Sequence, residues 1–509
     1  MVGSALQKIH SHLQISYHFQ ESAGDKDITS PLWKMPGKGV FTRDLQMELI
    51  ENKIDCIVHS WKDLDLEDRI ETEVLSVLQR EDQRDVLLFK KSIFETPTPS
   101  LIFCTSSPRR EYNLRNFFPH HLPKRLQNLP ISFYPIRGNI QTRIRTFMEG
   151  DYSGLILAKA ALDRILRAQE EDFLPKDELS ELQTVCTYIL SSLRECLFTV
   201  LPLSYNPNAP AQGSLAVEIL KTNSELIPLF STLTHPESSS STTKERKILS
   251  FFGGGCHQKI GVAVQKYPFG EVCFLRGLTD SKIKLNQSDV VHDINEEYIQ
   301  NIQTSITHEN FPRYSKEEIW PVHGVMASRD RTRLHVDISS QFDLFIARGY
   351  ALPESYSVSH SSQIVWTAGT TTWRELANRD IWVHGTFDGL GEHPLDDDLR
   401  FLTDKKTQFH KLTHRDSKEI HAFPTIFTYI AGEPTIPPNF DPEKIKAVFW
   451  RSSTEFDYVT HLYPQLKNAD TFCGPGSTYQ HLLNDPVVQT HKKLQIYLSF
   501  KDWLAKCTV

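Results

Sequence analysis

Strand-like and helix-like patterns alternate from the start of the chain, and that alternation narrows it to an α/β architecture before any other property is considered. LQMELIENK has helical spacing, IDCIVHS is a short strand run, and WKDLDLED reads as a polar loop leaving it. From about residue 92 to 185 the rhythm continues, with LIFCTSS as a strand and SGLILAKAALDRIL as a strand passing directly into a helix. Sheets of this kind bind ligands where strands end and helices begin. A length of 509 residues is too great for one core and implies roughly three domains. The Ser-rich stretch from His235 to Thr243 reads as a flexible connection, and residues 244–312 as a smaller unit with one helix pattern, a triple glycine and the strands IGVAVQ and EVCFLRGL.

The region from about 318 contains a duplication. Leu344-Phe345-Ile346-Ala347-Arg348 precedes Gly369-Thr370-Thr371-Thr372-Trp373, and Val448-Phe449-Trp450-Arg451-Ser452 precedes Gly476-Ser477-Thr478-Tyr479. Phe345 lies 27 positions before Thr372, and Phe449 lies 29 before Thr478. In each copy a strand ends in a polar loop and a Gly-Thr turn later opens a helix, the form of α/β phosphate or carboxylate sites. A repeated packing unit without a ligand fits the same pattern.

Charge restricts the ligand. With 56 Lys and Arg against 63 Asp and Glu, the net charge of −7 repels nucleic acid, acidic membranes and polycarboxylates alike. Any anion therefore needs a local basic cluster, and one lies between Leu101 and Met148: Arg109, Arg110, Arg115, Lys124, Arg125, Arg137, Arg143 and Arg145 face the single acid Glu111. Few aromatics alternate with these arginines, so a nucleic-acid stacking surface is disfavoured. Usage of 39% hydrophobic and 23% charged residues excludes wholesale disorder. The eight cysteines form no CxxC, which argues against a disulfide framework and a zinc site and fits a reducing, cytoplasmic compartment. No run reaches membrane-spanning length, and the start lacks a signal-peptide core. His410 and His414 could share one helix face as a metal pair, but no third ligand is in view, so no metal is expected.

Four loops carry candidate chemistry. Thr105-Ser106-Ser107-Pro108-Arg109-Arg110 reads as a strand end, a Ser cap, Pro at the first helical position and two arginines, and Arg137-Gly138-Asn139 turns into a helix bearing Arg143. Arginine forks suit a ligand with several carboxylates. Ser60-Trp61-Lys62-Asp63 leaves a strand, and Asp63 could exchange protons with an amine or offset a cation; an exposed salt-bridged loop is the bland alternative. Gly253-Gly254-Gly255-Cys256 frees the backbone to present a thiol, a plausible covalent attachment point, against the usual fate of a buried structural cysteine.

In their order and spacing these residues resemble the hydroxymethylbilane synthases, also called porphobilinogen deaminases. The match spans about residues 1–312 and includes Gly37-Lys38-Gly39-Val40-Phe41-Thr42, Val58-His59-Ser60-Trp61-Lys62-Asp63, Arg80-Glu81-Asp82, Thr105 to Arg110, Arg137-Gly138-Asn139, Ala211-Gln212-Gly213, and Glu245-Arg246 followed by Gly254-Gly255-Cys256. The resemblance implies polymerisation of four porphobilinogens, with loss of ammonia through a cationic azafulvene, on a dipyrromethane cofactor bound to Cys256 by a thioether. It makes Asp63 the catalytic carboxylate. It assigns Lys62, Thr105, Ser106, Ser107, Arg109, Arg110, Arg137 and Arg143, with Ser60 and Arg164, to the acetate and propionate groups of cofactor and substrate.

The implied fold is α/β and multidomain: domain 1 at 1–91 and 190–230, domain 2 at 92–189, and a small α+β domain 3 at 231–312 holding the cysteine. Family members open with a strand and an Arg-x-Ser type loop, whereas Met1 here aligns within the first helix, so an upstream start or an impaired chain is expected. Residues 318–509 resemble uroporphyrinogen-III synthase, a pair of α/β domains that closes hydroxymethylbilane with inversion of the last ring; Thr372, Thr478 and Tyr479 become its site residues. The expectation is a fused two-step enzyme, monomeric, with no nucleic-acid or membrane partner. The alternatives are a deaminase with a non-catalytic C-terminal region, and a non-catalytic two-lobed anion-binding protein, for which a thiol on a glycine loop has no use.

Overall fold

The computed structural model describes residues 1–19, 43–66, 69–170, 176–254, 258–302, 313–321, 329–358, 363–395, 399–403, 405–415, 422–438, 440–490 and 494–508. The Gly37–Thr42 motif and Cys256 lie outside them. No described helix is long and apolar enough to cross a membrane.

The first sheet is antiparallel, with β8 (Leu215–Leu220) between β1 (Ile57–Ser60) and β2 (Thr72–Val77). Its central strand carries a fully buried acid, Glu218, which accepts from His59 at 2.9 Å, Thr72 at 2.6 Å, Arg69 at 2.9 Å and Gln46 at 3.0 Å. Burial pushes this carboxyl up, and the bonds from His59 and Thr72 with the charge of Arg69 more than offset it, holding it below its ordinary value.

The second sheet runs β5 (Ile131–Tyr134), β4 (Leu101–Cys104), β6 (Gly154–Ala158), β3 (Asp85–Lys90), β7 (Cys196–Val200). The expected divisions at 92 and 189 therefore shift, because β3 and β7 belong here. Val86 to Phe89 and all of β7 are buried, so both strands need cover on each face and find it only in this larger sheet.

The third unit is the antiparallel sheet β9 (Gly261–Tyr267), β10 (Gly270–Leu278) and β11 (Lys284–Val291), packed on the helix Pro236–Phe251. The stretch read as a flexible connection is the first half of that helix. His235 caps the Ser238 amide, Pro236 takes the first position, and the Thr242 hydroxyl bonds back to the Ser238 carbonyl at 2.7 Å, so the hydroxyl residues support a helix.

Two mostly parallel sheets follow. The six-stranded one orders β13 (Arg331–Arg333), β18 (Thr425–Ala431), β17 (Phe409–His414), β14 (Asp343–Ile346), β15 (Val365–Thr367) and β16 (Gly385–Thr386); the four-stranded one orders β12 (Ile319–Trp320), β19 (Ala447–Trp450), β20 (Asp470–Cys473) and β21 (Gln495–Ile496). The chain enters the smaller sheet, leaves to build the larger, and returns. The duplication is structural: Phe345 pairs with Trp366 and Phe449 with Phe472, and each second strand runs into the glycine-opened helix Thr370–Ala377 or Ser477–Leu483. A second strand thus stands between the strand and the Gly-Thr turn in both copies. His410 and His414 lie on strand β17, not on a helix, and His410 stacks on Phe342 at 3.7 Å.

The second sheet and the C-terminal region share cores. Trp373 and Trp382 sit in one cluster with Phe103, Phe117 and Phe118, and Trp366 sits in another with Val86 and Leu88.

Candidate active site

Asp63 ends a 3-10 turn, Trp61–Asp63, that leaves β1 one residue after Ser60. The buried Trp61 and Leu64 on either side anchor the turn while the Asp63 side chain stays exposed. Arg246 clamps the backbone from the third unit, donating to the carbonyls of Trp61 at 3.1 Å, Leu64 at 3.0 Å and Asp65 at 2.5 Å. Lys62 is pushed below the usual lysine range by burial and by Arg110 and Arg109, against the pull of Asp63 and Asp85.

The Thr105–Arg110 turn forms as its residue types dictate. The Thr105 amide bonds to Tyr134 at 2.9 Å, the Ser107 amide donates to the Thr105 hydroxyl at 3.2 Å, Ser106 donates to the Ile136 carbonyl at 2.5 Å, and Ser107 caps the helix Pro108–Arg115. Its two arginines then turn inward onto Asp85. Arg109 donates to Asp85 at 2.8 Å, Asn206 at 3.1 Å and Pro207 at 2.6 Å; Arg110 donates to Asp85 at 2.6 Å and the Ile156 carbonyl at 3.2 Å. Asn206 and Gln212 add bonds to the same carboxylate at 2.8 and 2.9 Å. Burial would raise Asp85, but the two guanidiniums hold it well below the carboxylate range. Arg109, expected as a ligand, is thus spent on protein acceptors behind the site. Arg110 keeps a buried Nε with no partner.

Arg143 lies on the helix Ile140–Glu149, capped by Asn139, and its Nε donates to the Gly138 carbonyl at 2.6 Å. Burial, then Arg110 and Arg137, push it down to about 10, with Asp63 opposing. Arg164 on the helix Lys159–Ala168 donates to the Gly213 carbonyl at 2.6 Å and also keeps a buried, unpartnered Nε. It is lowered by burial against Glu81 and Asp63. Asp63 therefore acts electrostatically on Lys62 from its own turn and on Arg143 and Arg164 from helices packed on the second sheet.

Two of the sequence motifs hold these elements together. Gly213 has φ +90°, and a Cβ there would stand 2.5 Å from the Glu81 carbonyl oxygen. Glu245, fully buried, accepts both arms of Arg80 at 2.9 and 2.7 Å and the amides of Ala211 and Val264 at 2.8 and 2.9 Å. Gly254, at φ +45°, packs where a Cβ would meet Leu66 at 2.4 Å. The glycine stretch that leads to Cys256 therefore begins against Leu66, three residues past Asp63.

In the C-terminal region Thr372 and Thr478 are buried under their helix starts. Tyr479 packs edge-on against Phe269 of the third unit at 5.7 Å, and burial raises its phenol. Sequence reasoning missed Asp85, Asn206 and Glu218. Asp85 had a signal, since a lone acid opening an otherwise apolar strand requires buried partners.

A family model described as porphobilinogen deaminase, dipyromethane cofactor binding domain, matches residues 1–228. Curated relatives named porphobilinogen deaminase agree. One from Syntrophomonas wolfei is 32% identical over 283 residues, covering 55% of this chain and 79% of the relative. One from Clostridium beijerinckii is 31% identical over 274 residues, 54% of this chain and 81% of the relative. One from Nostoc sp. is 30% identical over 265 residues, 51% and 71% respectively.

Proposed function

The chain belongs to the porphobilinogen deaminase family, and from that premise we propose that it joins four porphobilinogens into a hydroxymethylbilane at the Asp63 cleft, on a dipyrromethane held through Cys256. The observation that carries this reading is the donor set around one carboxylate. Two guanidiniums, Arg110 and Arg164, keep buried Nε atoms without a partner and so call for acceptors from outside the protein, and Lys62 and Arg143 lie within electrostatic reach of Asp63 beside them, with Arg137 acting on Arg143. Each porphobilinogen unit brings two carboxylates, so these groups fit both substrate and dipyrromethane. When bound, the dipyrromethane supplies the nucleophilic pyrrole carbon to which the first unit is added.

Asp63 holds the substrate ammonium. As the carbon–nitrogen bond breaks and ammonia leaves, its carboxylate offsets the positive charge on the substrate's methylene-pyrrole. A new bond forms from that methylene to a pyrrole carbon, and the proton displaced there passes toward Asp63, whose exposed carboxylate acts on Lys62, Arg143 and Arg164. The arginines fix the orientation. Full-length protein should consume porphobilinogen with one ammonia released per unit joined; protein that binds it without releasing ammonia would support the anion-binding alternative.

For residues 318–509 the reading is a uroporphyrinogen-III synthase-like region that closes the bilane with inversion of the last ring. It is supported by the duplicated strand–strand–glycine–helix units and by the turn Asp388–Gly391, which runs against both helix starts: a side chain on Gly369 would touch Gly389, and one on Gly391 would touch Gly476. The test is the isomer made from porphobilinogen by the full chain and by Thr372→Val with Thr478→Val. Isomer III from the full chain, shifting toward isomer I in the variant, supports the second activity; isomer I from both contradicts it.

A further inference from the structure

The segment Trp382–Asp388 lies outside the residues matched by the family model, yet it runs along the strand and loop that support the arginines of the Asp63 cleft. Its contacts alternate along residues 198–204. The Trp382 indole donates to the Phe198 carbonyl at 2.9 Å, the Thr199 hydroxyl donates to the Val383 carbonyl at 2.8 Å, and the Val200 amide donates to the His384 carbonyl at 2.8 Å. One backbone bond and two side-chain bonds thus cover part of the outer edge of β7, an edge that would otherwise present unpaired backbone groups. Beyond it, Ser204 donates its amide at 3.3 Å and its hydroxyl to the Asp388 carboxylate.

Between these anchors lies the deaminase network. The Leu201 amide donates to the Asp85 carbonyl at 2.8 Å, and the turn that begins at Pro202 presents Asn206 and later Gln212 to the Asp85 carboxylate. Asp388 holds a left-handed φ of +54°, and the next buried side chain, Leu390, packs with Leu203. A strained residue with its neighbour locked in a core is a fixed anchor.

We propose that Asp388 is a positioning residue of the deaminase site: through Ser204 it fixes the turn that carries Asn206 and Gln212, these fix Asp85, and Asp85 fixes Arg110. The C-terminal region is then part of the first activity's machinery, whatever reaction it performs itself. The inference rests on reading the Asp63 cleft as the porphobilinogen site.

The experiment measures porphobilinogen consumption by full-length wild type, Asp388→Ala, Asp388→Asn, Ser204→Ala and the Asp388→Ala/Ser204→Ala double variant, with Asp380→Ala as a control. Asp380 pairs with Arg125 at the exposed rim of the same interface, so its loss tests docking without touching Ser204. KM for porphobilinogen should rise roughly three- to tenfold in Asp388→Ala and Ser204→Ala, the worth of a part-buried hydrogen bond to a charged acceptor. The double variant should add nothing further. Asp388→Asn, which keeps an acceptor oxygen, should recover most of the loss, and Asp380→Ala should keep wild-type KM. Wild-type KM in Ser204→Ala overturns the proposal, including where Asp388→Ala fails to fold. A wild type that consumes no porphobilinogen overturns the functional reading instead.

Discussion

Arg246 and Asp63 belong to different units, and the first holds the backbone around the second: its guanidinium bonds to the carbonyls of Trp61, Leu64 and Asp65 and lies 5.6 Å from the centre of the Trp61 ring. The helix that carries Arg246 also leads into the glycine stretch before Cys256. One helix thus holds the turn that carries Asp63 and leads toward Cys256.

Replacing Arg246 should therefore damage catalysis more than substrate binding. Arg246→Ala is expected to lower kcat by about 10- to 100-fold through misplacement of Asp63, with Arg246→Lys intermediate because a point charge cannot serve three carbonyls. Steady-state kcat and KM for porphobilinogen check this; a wild-type kcat would show that Asp63 is held without the clamp.

Asp63→Asn removes the negative charge and the proton acceptor but no buried contact. Turnover should fall by at least about 10²-fold, while thermal stability stays within about 0.5 kcal/mol of wild type. Ammonia release and a melting curve give the two readings, and near-normal turnover would remove Asp63 from its role.

Asp85 predicts the opposite division. Asp85→Ala strands two buried guanidiniums, a loss on the order of 3–5 kcal/mol, and should lower the urea midpoint sharply. Asp85→Asn should fall between. An unchanged midpoint would mean that Arg109 and Arg110 find other acceptors.

These residues also show what was legible in sequence. The passages at Thr105–Arg110 and Arg137–Arg143 were readable because caps and a first-turn proline are local signals. The inward turn of Arg109 and Arg110 was not, since it depends on Asp85 and Asn206, which are distant in sequence. The Ser-rich helix start was misread because composition outweighed the His235 cap. β3 and β7 were assigned to the wrong unit because an apolar run does not name its sheet, and β7 owes its buried edge to residues 382–384. The duplication was visible as paired motifs, while the second strand within each copy was not.

His121 gives the interface a pH dependence. It is buried against Phe117 and Tyr205, its carbonyl accepts from the Trp373 indole at 2.8 Å, and burial lowers its imidazole to about 4, aided by Arg374 and His120 against bonds to Phe117 and Thr370. Between that value and the unfolded value near 6.5, the unfolded chain binds the proton and the folded chain does not. This contribution to stability is present above about pH 6.5 and is lost as pH falls toward 4, by up to about 3 kcal/mol. Asp163, raised to about 6 by burial despite Lys159, works in the opposite direction over much of the same range. The difference between wild type and His121→Gln isolates the histidine: the variant's deficit in urea midpoint at pH 7 should shrink at pH 4.5. A constant deficit would contradict the buried neutral imidazole.

The most direct test of the whole account is the intact mass of full-length protein produced with porphobilinogen available. The unmodified chain weighs 58.5 kDa. The expected species is heavier by one dipyrromethane, with the added mass on the peptide containing Cys256 and absent from Cys256→Ser. A bare chain that still consumes porphobilinogen, or the added mass on any other residue, would contradict it.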